Sequence, residues 1–324
     1  MKLKSTIALH AQGEMIRRDP GFWDKLKKVF GARPNLETDR VRTQLTTAYL
    51  VQGAKKALER LDVNNAVALV IDGQVLFEDR AGRPDDFRDL FLSFYENEAV
   101  YGRDFKDLRL TVEHREAGLH FVIEIVGRGE HVRDEATAKV IVSGRITEFE
   151  PRPGEDAEAF RQRVTPHLAT PAFTEAHRLQ FDAFVERVRV GLRDALPEVR
   201  VSSPEANAMV ERPPKAARGG ARQGERPRDP HDPRYDPYDQ HYPSPMHDLA
   251  TMIFWSSMMS WAWHPHYVVI DQGGTPVGST EDLSGSDVDG EAGEPDDEMD
   301  LGEGGDEGQG DAGDDDGFDF GDDW

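Results

Sequence analysis

LRLTVEHREAGLHFVIEIV, residues 108–126, decides the fold of this chain. Apolar and polar residues alternate on both sides of a short polar break, the period-two pattern of two half-buried strands, so the stretch predicts a hairpin. Its register follows from the faces. Pairing His114 with His120 sets Leu110 against Glu124 and Glu113 against Phe121, which mixes core and solvent sides. Shifting by one pairs Leu108 with Ile125, Leu110 with Ile123 and Val112 with Phe121 on one face. The other face then holds Arg109 with Glu124, Thr111 with Val122 and Glu113 with His120. A slip of one residue would send every apolar side chain to the wrong face, so this second register is expected. It leaves 115–118 as a four-residue loop, with Gly118 free to take positive φ.

Working outward, Asp72-Gly73 joins predicted strands at 66–71 and 74–78, since Asp-Gly favours the type I′ turn of a tight hairpin. Both faces of that ribbon are apolar, which places it mid-sheet and covered on both sides. A helix is predicted over 36–61, where Val41, Leu45, Ala48, Val51, Ala54, Leu58 and Leu61 keep helical spacing. Pro84-Asp85-Asp86 opens another helix, with Phe87, Leu90, Phe91 and Phe94 as its stripe. After the 108–125 hairpin come a strand at 138–143 and helices at 155–164 and 173–196. Phe181, Phe184, Val188, Leu192 and Ala195 line the last of these.

The fold class is therefore α+β: one domain, an antiparallel sheet packed by helices, in the order α-ββ-α-βββ-αα. That order of elements is similar to roadblock and longin-type scaffolds, which act as dimerisation and small-GTPase-regulating modules. The likeness is one of order alone.

Charge divides the chain. Of its net charge of −23, −20 comes from residues 281–324, which hold no Lys or Arg, so the first 280 residues carry only −3. The expected organisation is a basic amphipathic N-terminal helix in 1–35 and the α+β domain in 36–200. A Pro/Arg/Tyr-rich flexible linker follows in 201–248, then a Met/Trp-rich hydrophobic segment in 249–270 and a disordered acidic tail in 271–324. The N-terminal helix is signalled by Asp19-Pro20, closes at Gly31, and sets Phe22 and Trp23 beside Lys25, Lys27 and Lys28. Lys2 and Lys4 resemble a signal n-region, but the apolar run behind them is interrupted at His10 and too short. There is no cysteine. That excludes a disulfide framework and thiolate metal sites, and agrees with a cytoplasmic protein.

Catalytic signatures are missing. Gly127-Arg128-Gly129 does not continue into a dinucleotide fingerprint, and no phosphate-binding loop sequence occurs. His231, His241, His247, His264 and His266 lack the i, i+4 spacing of strong metal sites, so no metal or other cofactor is expected. Nucleic-acid binding lacks a basic footprint. The candidate binding residues are Met252, Trp255, Met259 and Trp263 on a predicted helix, together with Phe318, Phe320 and Trp324 among the carboxylates of the C-terminal tip. Acidic tails closed by an aromatic resemble the C-terminal tips of bacterial and phage single-stranded-DNA-binding proteins. Those tips dock into basic, partly apolar pockets of partner proteins.

The expected function is a non-enzymatic adaptor that binds protein partners through the Met/Trp helix and the tip. One alternative is a peripheral membrane protein held at residues 20–31 and 249–263. The other is an enzyme within the α+β domain, for which no residue can be named.

Overall fold

A computed structural model of the chain describes residues 1–11, 39–79, 105–130, 136–213, 229–243, 247–260 and 266–284. Strand β1 (Lys2–Ala11) is followed by helix α1 (Asp39–Glu59), the hairpin β2 (Asn65–Ile71) and β3 (Gln74–Glu78), and the meander β4 (Asp107–Glu116), β5 (Leu119–Arg128) and β6 (Ala138–Ile146). Helices α2 (Ala157–Val164) and α3 (Pro171–Ala195) come next, then short strands β7 (Val199–Val201) and β8 (Glu205–Glu211). The described chain ends with α4 (Pro237–His241), α5 (His247–Met259), β9 (Val268–Ile270), β10 (Pro276–Ser279) and α6 (Thr280–Ser284).

The strands make one ten-stranded sheet in the order β10-β9-β8-β1-β6-β5-β4-β2-β3, with β7 also paired to β1. The ladders are antiparallel except β8 with β9. Alternation sorts the side chains onto two faces. Leu3, Ile7, Leu110, Phe121, Ile123 and Val142 point to the inner face and pack with Leu50, Ala54 and Leu58 of α1 and with Phe181, Phe184 and Val188 of α3. Phe121 stacks on Phe184 with centroids 4.1 Å apart. Helix α1 sits close on β5 at Gly127, where a Cβ would lie 2.3 Å from Thr47 Cγ2. A second apolar cluster joins Phe160 and Val164 of α2, Val210 of β8, Ile253, Phe254 and Met258 of α5, and Tyr267.

Several expectations change. The β4–β5 hairpin pairs Leu110 with Ile125, Val112 with Ile123 and His114 with Phe121, two residues away from the expected register. A two-residue shift keeps every side chain on its face, so the faces stand while the partners move. The cause is the turn: Ala117 (φ 51°) and Gly118 (φ 75°) both take left-handed backbone, giving a two-residue loop that matches strand twist. Asp72 (φ 50°) and Gly73 (φ 78°) form the expected tight turn. Its strand β3 nevertheless lies at the sheet edge, with Val75 56% exposed, rather than mid-sheet.

Residues 2–11, within the 1–35 expected as a basic amphipathic helical segment, form a central strand between β6 and β8. Between Asp39 and Ala195 the described α-helices and strands run α1, β2 to β6, α2 and α3, while β1 and β7–β10 extend the sheet beyond the strands expected. The linker expected over 201–248 holds β8 and an ordered, buried stretch at 229–243. The end of the hydrophobic segment expected over 249–270 forms strand β9, and β10 and α6 lie inside the region expected to be disordered tail. Asp271 makes that ordering possible: its carboxylate accepts from Thr275 N at 2.8 Å and closes the β9–β10 turn. The helices expected at 20–31 and 84–94, and the tail from 285 onward, lie outside the described residues.

Because β9 pairs with β8 and α5 packs on α2, the region 229–284 is part of the body. A protease site inserted between Gly219 and Gly220 should therefore cut the chain into two pieces that co-elute on gel filtration under native conditions. Separation of the pieces without denaturant would restore 201–248 as a boundary between independent parts.

Candidate functional site

The outer face of the sheet carries Lys2 and Lys4 from β1, Thr111, Glu113 and Arg115 from β4, His120 and Glu124 from β5, and Ser143 and Arg145 from β6. Burying such groups is costly unless each finds a partner. The partners come from residues 229–243, which cross this face as a strap. Its Asp-Pro steps, alternating with Tyr235, Tyr238 and Tyr242, read in sequence as an extended linker. In the structure Asp232 and Asp236 make local turns, and Asp236 caps α4 by accepting from Tyr238 N at 3.0 Å, with Pro237 at the first helical position.

Two polar chains result. In one, Asp236 accepts from Ser143 Oγ at 2.6 Å and from Arg145 Nη2 at 2.6 Å. Arg145 reaches Asp239 at 3.0 Å, Asp239 meets Lys2 Nζ at 2.6 Å, and Lys2 lies 3.1 Å from Glu211. In the other, His120 is 1% exposed and sits between two carboxylates. Its Nε2 is 3.0 Å from Glu113 Oε2 and its Nδ1 is 2.7 Å from Glu150 Oε1. The Tyr242 hydroxyl donates to Glu113 and the Tyr238 hydroxyl donates to Glu150. Arg115 Nη1 donates to the other Glu150 oxygen at 3.2 Å. Tyr238 ties the chains together, since the Arg145 guanidinium lies 4.5 Å from its ring centroid.

These contacts shift the titrations. Burial alone would pull the His120 imidazole down, but bonds to Glu113 and Glu150 outweigh it and raise the pKa. The bond from His120 holds Glu113 down at about 2, with Tyr242 adding to it. For Glu150, burial works upward and is overcome by His120 and Tyr238, leaving it lowered. The group is thus a buried imidazole whose charged form is favoured by two flanking carboxylates, and both ring nitrogens are engaged.

A cleft of about 340 Å³ opens between the two chains, with Arg115 and Glu150 at one side, Lys2 and Glu211 at the other, and Ile146, Phe149, Pro151, Pro243 and Ala250 as apolar wall. No group of three or more His, Asp or Glu among the described residues is arranged to hold a metal ion. His231 accepts from Arg128 at 3.1 Å, His241 lies 3.3 Å from Thr111 Oγ1, and His266 pairs with Glu281.

The residues expected to bind partners are dispersed. Met252 (53% exposed) and Met259 (39% exposed) face solvent on α5, whereas Trp255 is partly buried against the second apolar cluster. The sticky face expected on this helix is therefore divided: Phe254 and Met258 turn inward with Ile253 and anchor α5 to the body. Trp263, Phe318, Phe320 and Trp324 lie outside the described residues. The cleft residues were not anticipated, although Glu113 and His120 had been placed on one face. The available signal was the run of charged residues at outward positions of β4, β5 and β6, which does not by itself say whether that face is covered.

Comparison with protein-family models, with curated proteins and with solved structures found no match.

The sign of the pH dependence follows from the shifts. His120, raised in the folded state, contributes stability that is complete below its ordinary value of 6.5 and is lost as pH rises through the folded pKa. Glu113 and Glu150, both lowered, contribute above their ordinary 4.5 and lose that contribution as pH falls, Glu113 doing so toward about 2. In urea unfolding, His120→Gln should be least stable relative to wild type just below pH 6.5, and the gap should narrow as pH rises through the folded pKa. A gap that widens with rising pH would show that His120 is held neutral.

Proposed function

We propose that this chain is a non-enzymatic adaptor of the cytoplasm, binding a protein partner through the outward methionines of α5 and through the acidic-aromatic segment 317–324. The carrying observation is the engagement of the cleft's ionic side chains with one another. His120, Glu113, Glu150, Arg145, Lys2 and Asp239 each meet an intrachain partner, so the chemistry offered is recognition, with apolar wall and exposed Arg115 as contact groups. Met252 and Met259, seven residues apart on one side of an anchored helix, supply polarizable apolar contact without needing a folding step. The order of elements within 39–195, similar to roadblock and longin-type modules, agrees with a body that serves as a platform for partners. No helix among the described residues is long and apolar enough to cross a membrane.

The partner expected for the tip has a basic, partly apolar pocket, in which each buried ring contributes on the order of 1.5–3 kcal/mol. Capture from cell lysate should recover the same protein with wild type and with the surface control Leu179→Ser. Recovery should drop roughly tenfold with Trp324→Ala and with the pair Met252→Ser and Met259→Ser. Equal recovery by all four proteins would remove both elements as anchors. Recovery with anionic liposomes in place of a protein would move the reading to a membrane surface.

A further inference from the structure

The strap meets the outer sheet face mainly through polar groups, beside one apolar contact of Tyr235 with Val126 and Ile141. Its carboxylates meet cations of the sheet: Asp236 on Arg145 at 2.6 Å and Asp239 on Lys2 at 2.6 Å. Its phenols meet carboxylates: Tyr238 on Glu150 and Tyr242 on Glu113. Its backbone is read as well, since Lys4 Nζ donates to the carbonyls of Pro233, at 2.7 Å, and Tyr235. Covering a sheet with valine and leucine would avoid the desolvation that each of these charges suffers. What paired charges and phenols supply in exchange is discrimination between one sequence and another. The strap has four Asp against one Arg, and Lys2, Lys4 and Arg145 are the sheet groups that receive it.

The strap is also built to lift. It runs between β8, held by its ladder to β1, and α5, held by Ile253, Phe254 and Met258. Removing it from the sheet breaks neither attachment. The connection before it, residues 214–228, can span about 50 Å when extended. Proline after Asp229, Asp232 and Asp236 fixes the backbone at three places, which lowers the entropy cost of docking.

We propose that the outer face of the sheet is a recognition surface for peptides bearing the order Tyr-Asp-Pro-Tyr-Asp, and that residues 229–243 are its tethered ligand, displaced when a partner presents that chemistry. The surface is distinct from the α5 methionines and the C-terminal tip, and stands or falls without them.

Hydrogen exchange on the full-length wild type gives the first test. The amides of Tyr235, Tyr238 and Tyr242 are bonded within the strap itself. They should exchange by local opening, roughly 100-fold or more faster than amides of β5. Exchange at the β5 rate would mean that the strap opens only with the whole fold, and would overturn the proposal. The second test uses a labelled peptide of residues 229–243. It should bind the full-length double variant Asp236→Asn, Tyr238→Phe, whose own strap is weakened, at least about tenfold more tightly than wild type, where the tethered copy competes at roughly millimolar effective concentration. A peptide of the same composition in scrambled order should not bind. A variant that keeps its cooperative unfolding transition yet takes up no peptide would refute the idea, as would equal uptake of the scrambled peptide, which would mark a general polyanion patch. Should the variant lose its transition, the exchange experiment on wild type decides alone.

Discussion

The middle strands of the sheet are covered on both faces, by α1 and α3 on one and by residues 229–243 on the other, and much of the remaining structure answers to that constraint. Every residue of β5 from Leu119 to Gly127 is buried. Apolar residues satisfy the inner face at once, but His120 and Glu124 point outward, and a buried imidazole or carboxylate needs partners on several sides. Cross-strand neighbours supply some: Thr111 donates to Glu124 at 3.1 Å, and Glu113 takes one nitrogen of His120. The rest must come from above the sheet. Tyr238 and Tyr242 meet the carboxylates that hold His120, and Asp236 and Asp239 meet Arg145. The identity of the strap residues is thus set by the charges beneath them.

Glu124 shows how far the arrangement goes. One of its carboxylate oxygens is buried without a hydrogen-bond partner, and burial pushes its pKa up to about 7. The fold therefore favours its protonated form. Its effect on stability is neutral below its ordinary 4.5 and becomes a cost as pH rises toward about 7, beyond which the cost is constant. His120 draws on the opposite preference, since its charged form is the favoured one. The two groups lie on the same strand, four residues apart, and their opposite preferences coexist because one has two ionised neighbours and the other has a hydroxyl, a phenol and the more distant Arg109. Removing one member of either set would leave a buried charge without its partner, which is why intact sets are far less costly than broken ones.

What the sequence made legible was local. Strand alternation in 108–126 settled which side chains share a face, and the Asp72-Gly73 turn fixed the β2–β3 hairpin. Helical spacing placed α1, α2 and α3 to within a few residues. The hairpin partners were missed because period two leaves registers two apart equivalent, and only the positive φ of Ala117 separates them. Strand β1 was missed because Lys2 and Lys4, which read as solvent-exposed or targeting charges, are buried or half-buried on the outer face against Asp239, Glu211 and strap carbonyls. The strap escaped for the complementary reason. Asp-Pro and Tyr-Asp steps carry no apolar period, and their partners are some 90 to 240 residues away in sequence. A mixed face covered by a largely polar segment has no period in either that announces the pairing.

Helix α5 carries the same logic to the surface. In sequence its methionines and aromatics formed one wide sticky arc, and an arc that wide cannot be both anchor and bait. Packing separates the roles: Ile253, Phe254 and Met258 join Phe160, Val164 and Tyr267, and this leaves Met252 and Met259 outside. Anchoring by one side fixes the orientation of the other, so a partner meeting the two methionines orders little beyond their own side chains. Rigid presentation lowers the entropy lost on association, and that gain is available because Ile253, Phe254 and Met258 already hold the helix to the body. The division of one helix into an inner and an outer set thus links the fold of residues 247–284 to the recognition role proposed for the chain.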